Sequence, residues 1–466
     1  MDSKIIPSFD AEARSVAHRV VDLLFDHVAR IGERPVLRWQ RPEALRELAR
    51  IGHGASNDPL QSIGQLLDYS LQLHHPSYMG HQVCPPFPLA VLADLVISTL
   101  NQSTAVWEMS PFATMIEKEI VGWLNAHIGF QSGAAGTMVS GGSTANLTGL
   151  LAARARWRSD SHQPAVRPVI LCSADAHYSI ARAASIMGME PDDVIKVDTD
   201  ERNRMDITAL NDALEALEDT DRSVMAIAAT AGSTATGAFD RLGDIAGLRD
   251  RYRTWLHVDA AHGASVVLSP SLRRLVAGIE HADSVAWDPH KMLWMPLSLG
   301  AILVRNGEWL RRAFSADAPY LFDAERSSLN LGETTIQCSK RADAVKLWLM
   351  LRSGGEEPFR AALERVTSIT RELYDLVLDS PDFQAMHEPE LNIFCFRYVG
   401  AGERSARDLD LLNGRLRQSL LESGQAWITT TLLKGARVLR VTMMNPATGK
   451  AEVESLLASL RRLATA

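Results

Sequence analysis

Apolar positions recur along the chain in two rhythms, and the change of rhythm divides it. Near the N-terminus Val20, Leu24, Val28 and Ile31 fall at helical spacing, with Arg19, Asp22, Asp26 and Arg30 on the other side, so an amphipathic helix is predicted. Such a face packs either on the chain's own core or on a second subunit. Helical patterns also run over 88–100 and 111–127. From residue 136 short apolar runs alternate with helical stretches. Strands are predicted at 136–140, 168–172, 194–197, 224–230, 256–258, 284–287 and 300–304, with helices at 145–156, 179–187, 207–217 and 244–252 between them. That alternation predicts an α/β architecture, a mostly parallel sheet covered by helices on both faces. Past about residue 345 the pattern becomes an α+β tail, with helices at 342–351, 358–378, 408–422 and 451–463 and strands at 392–397, 427–431 and 437–443. The expected organisation is an N-terminal helical segment (1–75), a large α/β domain (76–345) and a small C-terminal α+β domain (346–466).

Composition narrows the function classes. The chain has 466 residues, 46% hydrophobic and 22% charged, as in a soluble globular protein of more than one domain. Its net charge of −8, with no basic stripe, removes nucleic acid from the expected partners. The apolar runs are too short and interrupted to span a bilayer, and Met1-Asp2-Ser3-Lys4 does not open a signal peptide, so no membrane association is expected. Cys84, Cys172, Cys338 and Cys395 are scattered, which fits a reducing compartment and no structural zinc; a cytoplasmic protein is expected. His74-His75 raise a metal site, but no further ligand cluster accompanies them, and the stretch through His81 reads as a loop lining a pocket.

The candidate chemistry follows from strand ends. Ligands in mostly parallel sheets lie beyond the carboxyl ends of the strands. His177, Thr230, Asp259 and Lys291 each fall just past a predicted strand and can converge on one crevice. Gly141-Gly142-Ser143-Thr144 is a turn between a strand and a helix, where glycine lets backbone approach an anion and the hydroxyls cap the helix. Alone, such a turn is most often only a cap. Asp259 ends one buried strand, and Lys291 stands just past another in Asp288-Pro289-His290-Lys291. That pair is what pyridoxal 5'-phosphate requires. The lysine forms a Schiff base with the cofactor aldehyde, and the carboxylate keeps the pyridine nitrogen protonated, so that the ring can accept carbanion charge.

The segments HVDAAHGASVVLSP, beginning at His257, and ADSVAWDPHKM, ending at Met292, are highly specific. With Gly141-Gly142-Ser143, His177 in HYSIARAAS and Thr230 in ATAGSTATGAFD, the chain resembles the group II pyridoxal-phosphate decarboxylases over roughly residues 70–450. These include glutamate, cysteine sulfinate, aromatic amino acid and diaminobutyrate decarboxylases. The resemblance implies an aspartate-aminotransferase-type (fold type I) fold and a homodimer with active sites at the subunit interface. It implies that Gly142, Ser143 and His290, with Asp288 beside it, hold the phosphate, and that His177 stacks on the pyridine ring. Thr230 and Ala261 would contact the ring, Asp259 its nitrogen, and Lys291 would carry the imine.

On this reading the reaction is α-decarboxylation of an L-amino acid to the amine and carbon dioxide. Ile336-Gln337-Cys338-Ser339 looks closer to the glutamate and cysteine sulfinate branch than to the aromatic one, so an acidic substrate is favoured. His81 and Arg440 are the candidate substrate contacts, although an arginine like Arg440 also occurs in branches with no acidic substrate. Most members carry a tyrosine on a mobile loop just before the stretch aligned with Leu331-Gly332-Glu333-Thr334. Here that loop reads Asp323 to Asn330, with Glu325 and Leu329 about where the tyrosine is expected and Tyr320 the nearest one. The return of a proton to Cα is therefore left to His177, Tyr320 or water. In related aldehyde synthases a changed loop residue diverts the same intermediate to oxygen, so oxidative deamination is the leading alternative. An aminotransferase or β-lyase and a non-catalytic paralogue are the others.

Overall fold

The computed structural model describes residues 8–51, 58–160, 166–315, 318 and 329–465. The chain divides into two compact units. Residues 82–375 and 385–395 form the larger; His81 and the residues before it, with 376–384 and 396–466, form the smaller.

The larger unit is built on seven strands: β1 (Ala135–Val139), β2 (Arg167–Ser173), β3 (Val194–Val197), β4 (Arg222–Thr230), β5 (Trp255–Asp259), β6 (Ser284–Trp287) and β7 (Gly300–Val304). Their order across the sheet is β1-β7-β6-β5-β4-β2-β3. Pairing is parallel from β3 through β2, β4 and β5 to β6, while β7 runs antiparallel to both β6 and β1. The expected mostly parallel α/β class is the class observed. Strands covered on both faces read as unbroken apolar runs, and Val169-Ile170-Leu171-Cys172 of β2 is wholly buried. Against the sheet lies the helix Gly142–Asp160, whose Ala145, Leu150, Ala152 and Ala153 share a core with Ile170, Ala226, Ala286 and Ile302. A Cβ at Gly149 would lie 2.7 Å from His257 Nδ1, so only glycine lets this helix approach β5 as it does.

A second sheet of four strands has the order β10-β11-β9-β8, formed by β8 (Phe383–Ala385), β9 (Ile393–Tyr398), β10 (Thr429–Leu433) and β11 (Ala436–Thr442); β10 and β11 lie wholly in the smaller unit. The division into units departs from the expected three parts. Backbone hydrogen bonds tie Met79 N to Trp427 O, Trp427 N to Ser77 O and Thr442 N to Met79 O, so the N-terminal residues cluster with the C-terminal ones. The helix Ala344–Gly354, expected in the C-terminal domain, packs on Pro88–Leu100 and Pro111–Ile128 and belongs to the larger unit. The N-terminal amphipathic helix spans Ala11–Ala29, and Leu24, Phe25 and Val28 remain exposed on it.

Candidate active site

Three strand ends set the site. In register, Thr230 of β4 pairs with Asp259 of β5, and Asp259 pairs with Ala286 of β6. Parallel pairing therefore brings residues remote in sequence side by side at the carboxyl edge of the sheet. Lys291 follows β6 on the short helix Pro289–Met292. The Gly141-Gly142 turn enters from β1, with Gly141 at φ 148°, and opens the helix Gly142–Asp160 at the same edge. Gly142, Ser143, His177, Thr230 and Asp259 line one cavity of about 300 Å³. Ala261, Asp288, His290 and Lys291 line it too, so the nine candidate residues of this unit meet there. His81 and Arg440 belong to the smaller unit, and Tyr320 and Glu325 lie outside the described residues.

Each oxygen of Asp259 accepts one protein N–H: Oδ1 from Ala261 N at 3.2 Å and Oδ2 from Asn146 Nδ2 at 2.8 Å. A carboxylate has about four lone-pair sites, so capacity is left toward the cavity. Thr230 is anchored from behind, its backbone N–H donating to Asp240 Oδ2 at 2.7 Å. Burial pushes Asp240 up to about 6 against the two backbone N–H groups, of Met205 and Thr230, that it accepts.

Asp288 stands on the lysine side of the crevice. Its Oδ2 accepts from Gly142 N at 3.0 Å and pairs with Lys291 Nζ at 3.0 Å, with His290 Nε2 at 3.6 Å. The other ring nitrogen of His290, Nδ1, donates to the Leu299 carbonyl at 2.8 Å. An ionised carboxylate only accepts, so Asp288 is suited to anchoring the Gly142 amide and Lys291 and not to binding an anion directly. Burial lowers the pKa of both His290 and His177; around His177, Asp259 and Asp288 oppose that, and Lys291 and Arg182 add to it.

A buried network beneath the crevice was not predicted. Asn146 joins Asp259 to Ser179 at 2.8 Å and to His257 at 2.9 Å, and His257 continues to Ser284 at 2.8 Å. A signal for it did exist. Asn146 is a polar residue one turn inside a helix face that continues with Gly149, Leu150 and Ala153, and His257 stands two residues before Asp259, on the same face of its strand.

The residues present fit pyridoxal 5'-phosphate. The N-terminus of a 19-residue helix faces the cavity with the Ser143 hydroxyl beside it, donors for a phosphate, and the His290 imidazole lines the same cavity. A Cβ at Gly142 would lie 2.9 Å from Asp288 Oδ2 and 3.0 Å from Ala261 Cβ, so the cradle needs glycine. An amine and a carboxylate stand at the remaining walls, in Lys291 and Asp259.

Comparison with known proteins agrees with this chemistry. Residues 55–399 match the family model described as the pyridoxal-dependent decarboxylase conserved domain. The chain is 31% identical over 429 residues to the L-2,4-diaminobutyrate decarboxylase of Acinetobacter baumannii, covering 88% of this chain and 84% of that one. It is 29% identical over 461 residues to the aromatic-L-amino-acid decarboxylase of Bacillus atrophaeus, covering 97% and 95%. The crystal structure of mouse CSAD, cysteine sulfinic acid decarboxylase, superposes with a TM-score of 0.91 at 28% identity, over 98% of this chain and 99% of that one. The fold and the crevice define a fold type I pyridoxal-phosphate enzyme. This chain belongs to the pyridoxal-dependent decarboxylase family and is a pyridoxal-phosphate-dependent amino acid decarboxylase. Its relatives act on acidic, aromatic and diamino substrates, so membership leaves the substrate open.

Proposed function

We propose that the chain removes the α-carboxylate of an acidic L-amino acid of the glutamate, aspartate or cysteine sulfinate kind, with Lys291 as the residue that carries the cofactor. When bound, pyridoxal 5'-phosphate supplies an electron sink for the pair left at Cα by departing carbon dioxide. Gly142, Ser143 and His290 hold its phosphate, and Asp288 orients the Gly142 amide and Lys291. Asp259 faces the ring nitrogen, Thr230 and Ala261 flank the ring, and His177 covers it. The observation that carries this assignment is the meeting of Asp259, Lys291 and the glycine turn in one cavity.

Support for an acidic substrate comes from Ile336-Gln337-Cys338-Ser339, which is closer to the glutamate and cysteine sulfinate branch than to the aromatic one. His81 packs on Trp427 with ring centroids 5.0 Å apart, and Arg417 lies 5.5 Å over the same indole. Burial, then Arg440 and then Arg417, hold His81 below its ordinary pKa, so the two guanidinium groups are close enough to be felt. His81 and Arg440 remain the proposed substrate contacts.

We also propose a cytoplasmic homodimer. The helix Pro88–Leu100 leaves Val91, Leu95, Val96 and Leu100 exposed, and Phe112 follows it, a patch of the kind that subunits cover. The four free cysteines suit a reducing compartment. Among the described residues no helix is long and apolar enough to cross a membrane.

The test is release of carbon dioxide by the cofactor-loaded protein from a panel of L-amino acids. Release from glutamate, aspartate or cysteine sulfinate is expected. Turnover confined to aromatic amino acids or to 2,4-diaminobutyrate would overturn the acidic reading, and release from none would overturn the activity.

A further inference from the structure

The hydrogen bonds beneath the crevice have one consistent assignment of donors and acceptors. Trp255 Nε1 can only donate, and it does so to Ser284 Oγ at 2.8 Å. Asn146 Nδ2 faces a carboxylate oxygen of Asp259 and the hydroxyl of Ser179, both at 2.8 Å, and donates to both. Its Oδ1 must then accept, so the hydrogen between Asn146 and His257 sits on His257 Nε2, 2.9 Å away. Full burial holds the pKa of His257 down to about 4, so the ring is neutral and its Nδ1 is bare. That nitrogen accepts the Ser284 hydroxyl at 2.8 Å.

The same logic runs to the other end. Ser179 Oγ accepts from Asn146 and lies 2.8 Å from His177 Nδ1; a hydroxyl oxygen can accept twice, so the direction of the second bond is set by what else points at Nδ1. The Ser179 backbone N–H points at the same nitrogen from 3.3 Å. With that N–H aimed at it, Nδ1 is the acceptor, and the Ser179 hydroxyl turns its own hydrogen to the same nitrogen. A neutral His177 therefore carries its hydrogen on Nε2, on a ring that lines the cavity.

We propose that Asn146 and His257 are positioning residues. Through a single amide they orient the Asp259 carboxylate and fix the hydrogen of His177 on Nε2, so that the crevice is presented with an acceptor and a donor of set direction. The proton assignment stands on this chain alone; its use in catalysis rests on the functional reading above.

The experiment is NMR of isotope-labelled histidine in the full chain, stripped of cofactor, followed by titration with pyridoxal 5'-phosphate. In the wild type, His177 is expected with hydrogen on Nε2 and a bare Nδ1. Asn146→Leu keeps the volume but removes the amide; it should give His177 mixed tautomers and weaken pyridoxal 5'-phosphate binding about tenfold. His257→Gln retains a donor for Asn146 Oδ1 and should preserve the His177 signature, while His257→Phe should lose it. A wild-type His177 with hydrogen on Nδ1, or an Asn146→Leu protein with unchanged signature and affinity, overturns the proposal. If the wild-type signature is as expected but no visible absorbance develops with the cofactor, the functional reading fails and the proton assignment survives.

Discussion

Acid should destabilise this protein through one buried imidazole more than through any exposed one. His257 is wholly buried on β5, with Nε2 committed as a donor to Asn146 and Nδ1 as an acceptor from Ser284, so protonation breaks the Ser284 bond and places an uncompensated charge under the crevice. Its pKa falls from 6.5 in the unfolded chain to about 4 in the fold. A depressed histidine pKa means that the unfolded state binds the proton more readily between these values. The contribution to stability is therefore fully present above 6.5 and is lost as pH falls toward 4. Between about pH 7.5 and about pH 5 the linkage amounts to about 2 kcal/mol for this group. The measurement is urea unfolding of wild type and His257→Gln at both pH values, followed by tryptophan fluorescence. Glutamine keeps a donor for Asn146 but does not titrate. His74, His75, His177, His290 and His387 are also held below 6.5, chiefly by burial, and are common to both proteins, so the difference between the proteins isolates His257. Wild type should lose about 2 kcal/mol more than the variant on acidification. Equal losses in the two proteins would refute the argument.

Four other outcomes are expected. Lys291→Ala should abolish the visible absorbance of the cofactor-loaded protein and carbon dioxide release together; absorbance that persists and is still removed by borohydride would place the imine on another lysine. Gly142→Ala should weaken cofactor retention about tenfold, because its Cβ would press on Asp288 and Ala261; dialysis followed by absorbance reads this. Lys340 and Glu117 form a buried pair at 2.6 Å with side chains 2% and 1% exposed, so Lys340→Met should cost about 3–5 kcal/mol in urea unfolding, whereas adding Glu117→Leu should recover part of it. Oxygen uptake during turnover, followed with an electrode, should be absent for a simple decarboxylase, and uptake matching amine loss would favour the aldehyde-forming alternative.

Much of the fold is legible in the chain itself. β6 and β7 fall on the predicted 284–287 and 300–304 without a shift, and β3 on 194–197. Strands buried on both faces need only be apolar and short, and glycine, proline and polar residues bound them. The cofactor class was legible for a related reason: an acid at one strand end and a lysine past the next suit pyridoxal 5'-phosphate in an α/β chain. The short β8 escaped notice because Phe383–Ala385 is too brief to show a period, and the reversal of β7 because periodicity carries no strand direction.

The linear order of residues thus determined the alternating architecture and which residues stand at its strand ends and glycine turn, since each depends on local conformational preference. Tertiary structure alone decided that Asn146, Ser179, His257 and Ser284 form one directed set of hydrogen bonds and that the chain's two ends share a unit. Those facts depend on how separate strands and helices are packed side by side, and no spacing along the chain encodes them. A buried polar group declares its partner only when the fold has removed water as the alternative.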